Sequence, residues 1–199
     1  MLSKLIAPPL CLACGGDAGR AAPLCRDCRG QLQPARQVAG ACFAAFAYEG
    51  PAGALVRALK FRGRTAVADA MAAQLVARVP PVLLTGVVVP VPVHPKHRRR
   101  RGVDHAHALA AAVARRAGLE LSHCLERGGD PLPQVGRGRT ARLSGPPGSI
   151  RVCGSAPDTA LLVDDVVTTG ATLAACAAVL RAAGAREIAA IAYARTTAR

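Results

Sequence analysis

T-A-L-L-V-D-D-V-V-T-T-G-A-T-L-A-A-C-A-A-V-L-R-A-A-G (Thr159–Gly184) decides the fold. Thr159 to Asp165 is an apolar run ending in two carboxylates, the pattern of a buried strand. An alanine-rich helical stretch follows from Thr169 and closes at Gly184, and E-I-A-A-I-A-Y-A (Glu187–Ala194) reads as a second strand. Strand, helix and strand in about 35 residues form a βαβ unit, whose parallel strands must lie in a covered sheet. The fold class is therefore α/β.

Working outward, C-F-A-A-F-A-Y (Cys42–Tyr48) has strand character, and helices are expected over Gly53–Lys60 and Thr65–Val79. The β-branched run Gly86–Val93 reads as a buried strand whose prolines end it near Pro92. A helix is expected over Ala106–Ala117. Residues 127–158, rich in Gly, Pro and Arg, read as irregular, with short strands around Val135 and Ile150. Residues 1–39 differ in kind, with cysteine pairs and little periodicity. They are expected to form a small module, with residues 40–199 as the main domain. A chain of 199 residues can bury one core with such an appendage.

The net charge of +14 attracts polyanions: nucleic acid, phosphorylated metabolites or an anionic surface. With three phenylalanines, two tyrosines and no tryptophan, the core is expected to be aliphatic. None of the five aromatics lies in the densest basic run, which favours phosphate contact over base stacking. The N-terminus lacks the pattern of a signal peptide, and no run of about 18 apolar residues predicts a membrane span. The chain reads as cytoplasmic, where paired cysteines hold metal more often than disulfides.

Ligands of open α/β sheets bind beyond the carboxyl ends of the strands, which is where Asp164 and Asp165 are expected. The turn after them enters a helix N-terminus, whose free N–H groups favour an anion. Thr168, Thr169 and Thr172 add hydroxyls, and Gly170 allows close backbone approach. The turn thus combines a phosphate cradle with carboxylates suited to sugar hydroxyls or Mg²⁺. It is not a Walker A loop, since no lysine follows the glycine. A plain Asp N-cap would need only one carboxylate, and two adjacent ones repel.

L-L-V-D-D-V-V-T-T-G-A-T-L resembles the phosphoribosyl pyrophosphate (PRPP) motif of type I phosphoribosyltransferases. The resemblance implies that Asp164 and Asp165 hold the ribose hydroxyls. It also implies that the loop from Val166 and Val167 through Thr168, Thr169, Gly170, Ala171 and Thr172 binds PRPP, the last five residues wrapping the 5′-phosphate. Purine-salvage members carry an acid at the place of Thr168. A threonine cannot serve as that base at neutral pH, which argues against purine salvage.

C-L-A-C (Cys11, Cys14) and C-R-D-C (Cys25, Cys28) form C-x₂-C-x₁₀-C-x₂-C, a set of four thiolates suited to a closed, structural zinc site. Metal binding would supply the folding free energy that so short a segment lacks. A redox dithiol and two disulfides are the other readings of these pairs. Cys42, Cys124, Cys153 and Cys176 are scattered, and Cys176 is expected to serve packing only.

H-P-K-H-R-R-R-R-G-V-D-H-A-H (His94–His107) follows a strand, and its Arg98, Arg99, Arg100 and Arg101 can close as a lid over an anionic ligand. A solvated loop is the plainer alternative. L-K-F-R-G-R (Leu59–Arg64) is a second basic turn, whose Lys60 and Arg62 can hold a pyrophosphate leaving group. Surface charge at a helix end is its plainer reading.

In order and spacing, these features resemble the ComF (competence protein F) or GntX-like family over nearly the whole chain. That resemblance implies a phosphoribosyltransferase-like domain with an N-terminal zinc module. The family's usual R-G-F-N-Q appears here as Arg101-Gly102-Val103-Asp104-His105, and its Q-x-G-L stretch as Gln134-Val135-Gly136-Arg137, with Ser144 near the expected asparagine. Two functions are expected from this. One is Mg²⁺-dependent transfer of a phosphoribosyl group from PRPP to an acceptor, with Asp164, Asp165, Lys60 and Arg62 catalytic. The other is single-stranded DNA binding during uptake or processing, alongside competence or DNA-processing proteins. A redox protein would need a low-pKa exposed thiol and fails if all four paired cysteines hold zinc.

Overall fold

The computed structural model describes residues 10–19, 23–38, 42–62, 65–93, 104–128 and 150–196, with the side chains of Arg62 and Thr65 outside the description. Four parallel strands form its sheet in the order β1-β6-β5-β2: β1 (Phe43–Ala47), β6 (Glu187–Arg195), β5 (Thr159–Val167) and β2 (Val87–Pro90). The βαβ unit read from the sequence lies at the centre, β5 and β6 being neighbours joined by a helix, α5 (Ala171–Ala182). Helices α2 (Gly50–Arg62), α3 (Thr65–Val76) and α4 (His105–Ala117) cover the other face. An isolated two-stranded antiparallel ribbon, β3 (Leu125–Arg127) with β4 (Ile150–Val152), packs β4 against α5.

Alternation along β5 divides the core. Leu161 and Val163 pack with Leu55, Leu59, Met71, Leu75 and Leu109 of α2, α3 and α4. Ala160 and Leu162 pack with Leu173, Cys176 and Leu180 of α5. The core is mostly aliphatic, but not wholly. Tyr193 is fully buried, its ring 5.2 Å from that of Phe46, and its hydroxyl donates to Gln74 Oε1 at 2.5 Å. That bond is why a phenol is tolerated there.

Several element bounds differ from those expected. β5 runs two residues beyond Asp165, so the carboxylates lie within the strand and not at its end. The β-branched Val166 and Val167 continue the extended backbone that the pattern already favoured. α2 begins at Gly50, because Pro51 fits a first helical turn. β2 ends at Pro90, α3 at Val76, and α4 begins one residue early behind its N-cap Asp104. β3 was not expected, β4 matches the expected strand near Ile150, and Val135 lies outside the described residues.

The cysteine-bearing N-terminal segment holds a short helix, α1 (Arg26–Gly30), capped by Cys25. Leu24 and Cys28 of this segment join the same core cluster as Met71 and Leu75. Gln33 and Ala35 then hydrogen-bond to β1, tying the connection to the sheet.

Candidate functional site

The two adjacent aspartates face opposite ways, as consecutive strand residues must. Asp165 points to the α2–α4 face and is only 3% exposed. Its Oδ2 lies 3.2 Å from Lys60 Nζ, at the end of α2, and 3.8 Å from His105 Nε2, the first residue of α4. A buried carboxylate needs such partners, and two cationic or potentially cationic groups supply them. Asp164 faces the α5 side, where burial first, and the Asp164 charge after it, raise the thiol pKa values of Cys42 and Cys176. Its Oδ1 accepts the N–H of Asp165 at 2.8 Å. Burial first, and then the Asp165 charge, push its pKa up to about 7.

Asp164 and the 166–173 turn line one small hollow. Thr168 and Thr169 are exposed, and Thr172 is half-buried. Gly170, at φ 81°, takes the left-handed conformation at the entry to α5, and no side chain caps that helix end. Ala171 N–H donates locally to Thr169 Oγ1 at 3.3 Å. The hollow therefore presents an uncapped helix N-terminus, hydroxyls and one carboxylate.

Of the residues singled out in the sequence, Asp164, Val166, Val167, Thr168, Thr169, Gly170, Ala171 and Thr172 come together here. Lys60 joins Asp165 behind the sheet edge. The side chain of Arg62, the loop Arg98–Arg101, and Gln134–Arg137 with Ser144 lie outside the described residues. Sequence reasoning gave no site role to His105, whose place beside Asp165 depends on folding. The departure Asp104-His105 nonetheless marked the spot: Asp104 Oδ1 accepts the N–H of His107 at 3.0 Å as the N-cap, and His105 turns to Asp165. Arg195 was also missed. Its Nη2 donates to Cys42 O at 2.8 Å on the Asp164 side of the sheet.

The four paired cysteines form a second site. Their Sγ atoms lie within 4.8 Å of one another, and those of Cys14 and Cys25 are 3.8 Å apart. Tetrahedral Zn–S bonds of about 2.3 Å place sulfurs about 3.8 Å apart, so the donor set fits a structural zinc ion. The first knuckle closes through Cys11 N–H to Gly16 O at 2.7 Å, and the second through Cys28 N–H to Cys25 Sγ at 3.5 Å. Burial of Cys11 opposes ionisation, but N–H groups of Cys14, Cys25 and Ala13 outweigh it and lower the thiol pKa to about 6. The same cluster pushes the Cys28 thiol up, first through its hydrogen bond with Cys25 and then through burial, so the thiols share protons that a bound metal would displace.

No protein-family model matches the chain, and no curated protein matches it. Among solved structures it is similar to one described as "Structure of the allosteric regulatory enzyme of purine biosynthesis", with 19% identity and a TM-score of 0.43. The match covers 68% of this chain and 30% of that one, so the chain spans under a third of that protein's length. Among the described residues no helix is long and apolar enough to cross a membrane.

Proposed function

We propose that this chain binds PRPP, or another phosphorylated ribose, at the turn after β5 and transfers the phosphoribosyl group to an acceptor. One observation carries the reading: a carboxylate and an uncapped helix N-terminus share a single small hollow. The helix end draws a phosphate, and the carboxylate accepts sugar hydroxyls. A phosphorylated sugar uses both, whereas a simple anion would be repelled by Asp164.

In this reading Thr168–Thr172 wrap the 5′-phosphate, with Val166 and Val167 walling the turn. Asp164 accepts a ribose hydroxyl. Asp165 is fixed from behind by Lys60 and His105 and orders the strand end that carries the turn. Lys60 and Arg62 meet the diphosphate, and Arg98–Arg101 close over it. As the bond from C1 to the diphosphate breaks, the diphosphate leaves with the electron pair and the acceptor bonds to C1. Preorganised cations near the leaving oxygen stabilise the charge that develops there. Mg²⁺ bound with the diphosphate would neutralise part of that charge, and Asp164 is the carboxylate in the hollow suited to it. Residues 1–39 act as a zinc-stapled module beside the catalytic domain of residues 40–199. The order of motifs supports membership in the ComF-like family.

Calorimetric titration of PRPP with and without Mg²⁺ tests this reading. Mg²⁺-dependent binding that weakens at least tenfold in Asp164→Asn is expected. Absence of binding by the native chain would sink the proposal. Single-stranded DNA binding, the other function the family resemblance implies, draws its physical support from the charge of +14, and a steep salt dependence in a parallel titration would favour it.

A further inference from the structure

Two of the scattered cysteines become partners in the fold. In the β3–β4 ribbon Leu125 pairs with Val152, Glu126 with Arg151 and Arg127 with Ile150. One step further along the same register, Cys124 stands directly opposite Cys153, and Cys153 N–H donates to Cys124 O at 2.8 Å. Directly opposed residues project to the same face of a ribbon. The next pair on that face, Glu126 and Arg151, already meets across the strands, with an ion pair of 2.8 Å. The Cys153 thiol feels burial first and then the charges of Glu126 and Cys124, its neighbours on that face, which raise its pKa. A hydrogen-bonded antiparallel pair places its Cα atoms about 5.5 Å apart, within the range a disulfide spans.

We propose that Cys124 and Cys153 are a modification site: a dithiol that closes to a cross-strand disulfide by exchange with a small-molecule disulfide such as oxidised glutathione. Cys124 is 1% exposed and Cys153 is half-buried, so Cys153 is the sulfur a reagent reaches first. Its thiolate attacks the glutathione disulfide. One glutathione leaves as a thiolate and takes up a proton, and Cys153 is left in a mixed disulfide. Cys124 then loses its proton, its sulfur bonds to Cys153 Sγ, and the second glutathione leaves as a thiol. Two protein thiols are oxidised and one glutathione disulfide is reduced to two thiols. Before closure the Cys153 thiol donates to His123 O at 3.1 Å, a bond that oxidation removes. Closure clamps both ends of residues 125–152 and fixes β4 against α5, the helix whose N-terminus forms the hollow. A two-stranded ribbon with three-residue strands is marginal alone, so a cross-link there changes its persistence.

The test uses the full chain loaded with zinc, equilibrated in glutathione buffers of increasing oxidised fraction. Free thiols are then alkylated, and the protein is digested with trypsin without reduction. A linked pair of peptides, Ala117–Arg127 with Val152–Arg181, is expected, reversible by dithiothreitol. Fragmentation should place the bond at Cys153 and not at Cys176, under conditions that leave Cys11, Cys14, Cys25 and Cys28 unmodified. Cys153→Ser, or Cys153→Ala if the serine disturbs folding, should abolish the link and leave Cys124 alkylated. A stable glutathione adduct on Cys153 without closure overturns the proposal. So does oxidation of the zinc cysteines before any 124–153 link forms.

Discussion

Asp164 is held at a cost that the solution pH can reveal. Burial and the neighbouring Asp165 charge raise its pKa to about 7, above the usual carboxylate value of about 3.9. Between those pH values the folded chain holds a proton that the unfolded chain has lost, so this group lowers stability as pH rises from about 4 through 7. Asp164→Asn should therefore stabilise the protein at pH 8 by about 1–2 kcal/mol and flatten its pH dependence. Urea melts at pH 5 and pH 8 would show it, and an unchanged slope with pH would contradict it. Lys60 acts in the opposite sense. Removing its ammonium as Lys60→Met leaves the Asp165 carboxylate buried with His105 as its ion-pair partner among the described residues, and a loss of about 2–3 kcal/mol is expected by chemical denaturation.

At the scale of elements, two glycines with similar backbone angles should behave differently. Gly86 has φ +74°, and a Cβ there would lie 2.4 Å from Thr159 O, between β2 and β5. Gly170 has φ +81° but open space, the nearest atom being Val167 Cγ2 at 3.9 Å. Gly170→Ala should cost about 1 kcal/mol from backbone strain, and Gly86→Ala about 3 kcal/mol or more because the strands must part. Denaturant midpoints of the two variants would rank them. The same elements show what the sequence made legible. The apolar run, the helical period and Gly184 announced β5–α5–β6, because those signals are local. β3 is only three residues long and is specified by its partner β4, so no local pattern marked it. α1 is five residues capped by a cysteine, too short for periodicity to appear. The members of the candidate site could be read individually, but the opposite facing of Asp164 and Asp165 depended on where β5 ends. His105 at Asp165 and Arg195 at Cys42 depend on long-range packing and carried no residue-spacing signal.

At the scale of the whole molecule, the four-cysteine segment is joined to the sheet through the core. Leu24 and Cys28 share one buried cluster with Met71 and Leu75, so this segment contributes core wall as well as four clustered thiols. In the zinc-bound form proposed above, stripping the metal with a chelator should lower the melting temperature of the entire chain in one cooperative transition. Calorimetry showing an early, separate module transition and an unmoved main peak would contradict this. A further consequence follows from the adjacent carboxylates on β5. Asp164 reports to the α5 layer and Asp165 to the α2–α4 layer, yet one peptide bond joins them. A ligand gripping that strand end would act as a stitch through the sheet, slowing amide hydrogen exchange in helices on both sides at once though it touches only one edge.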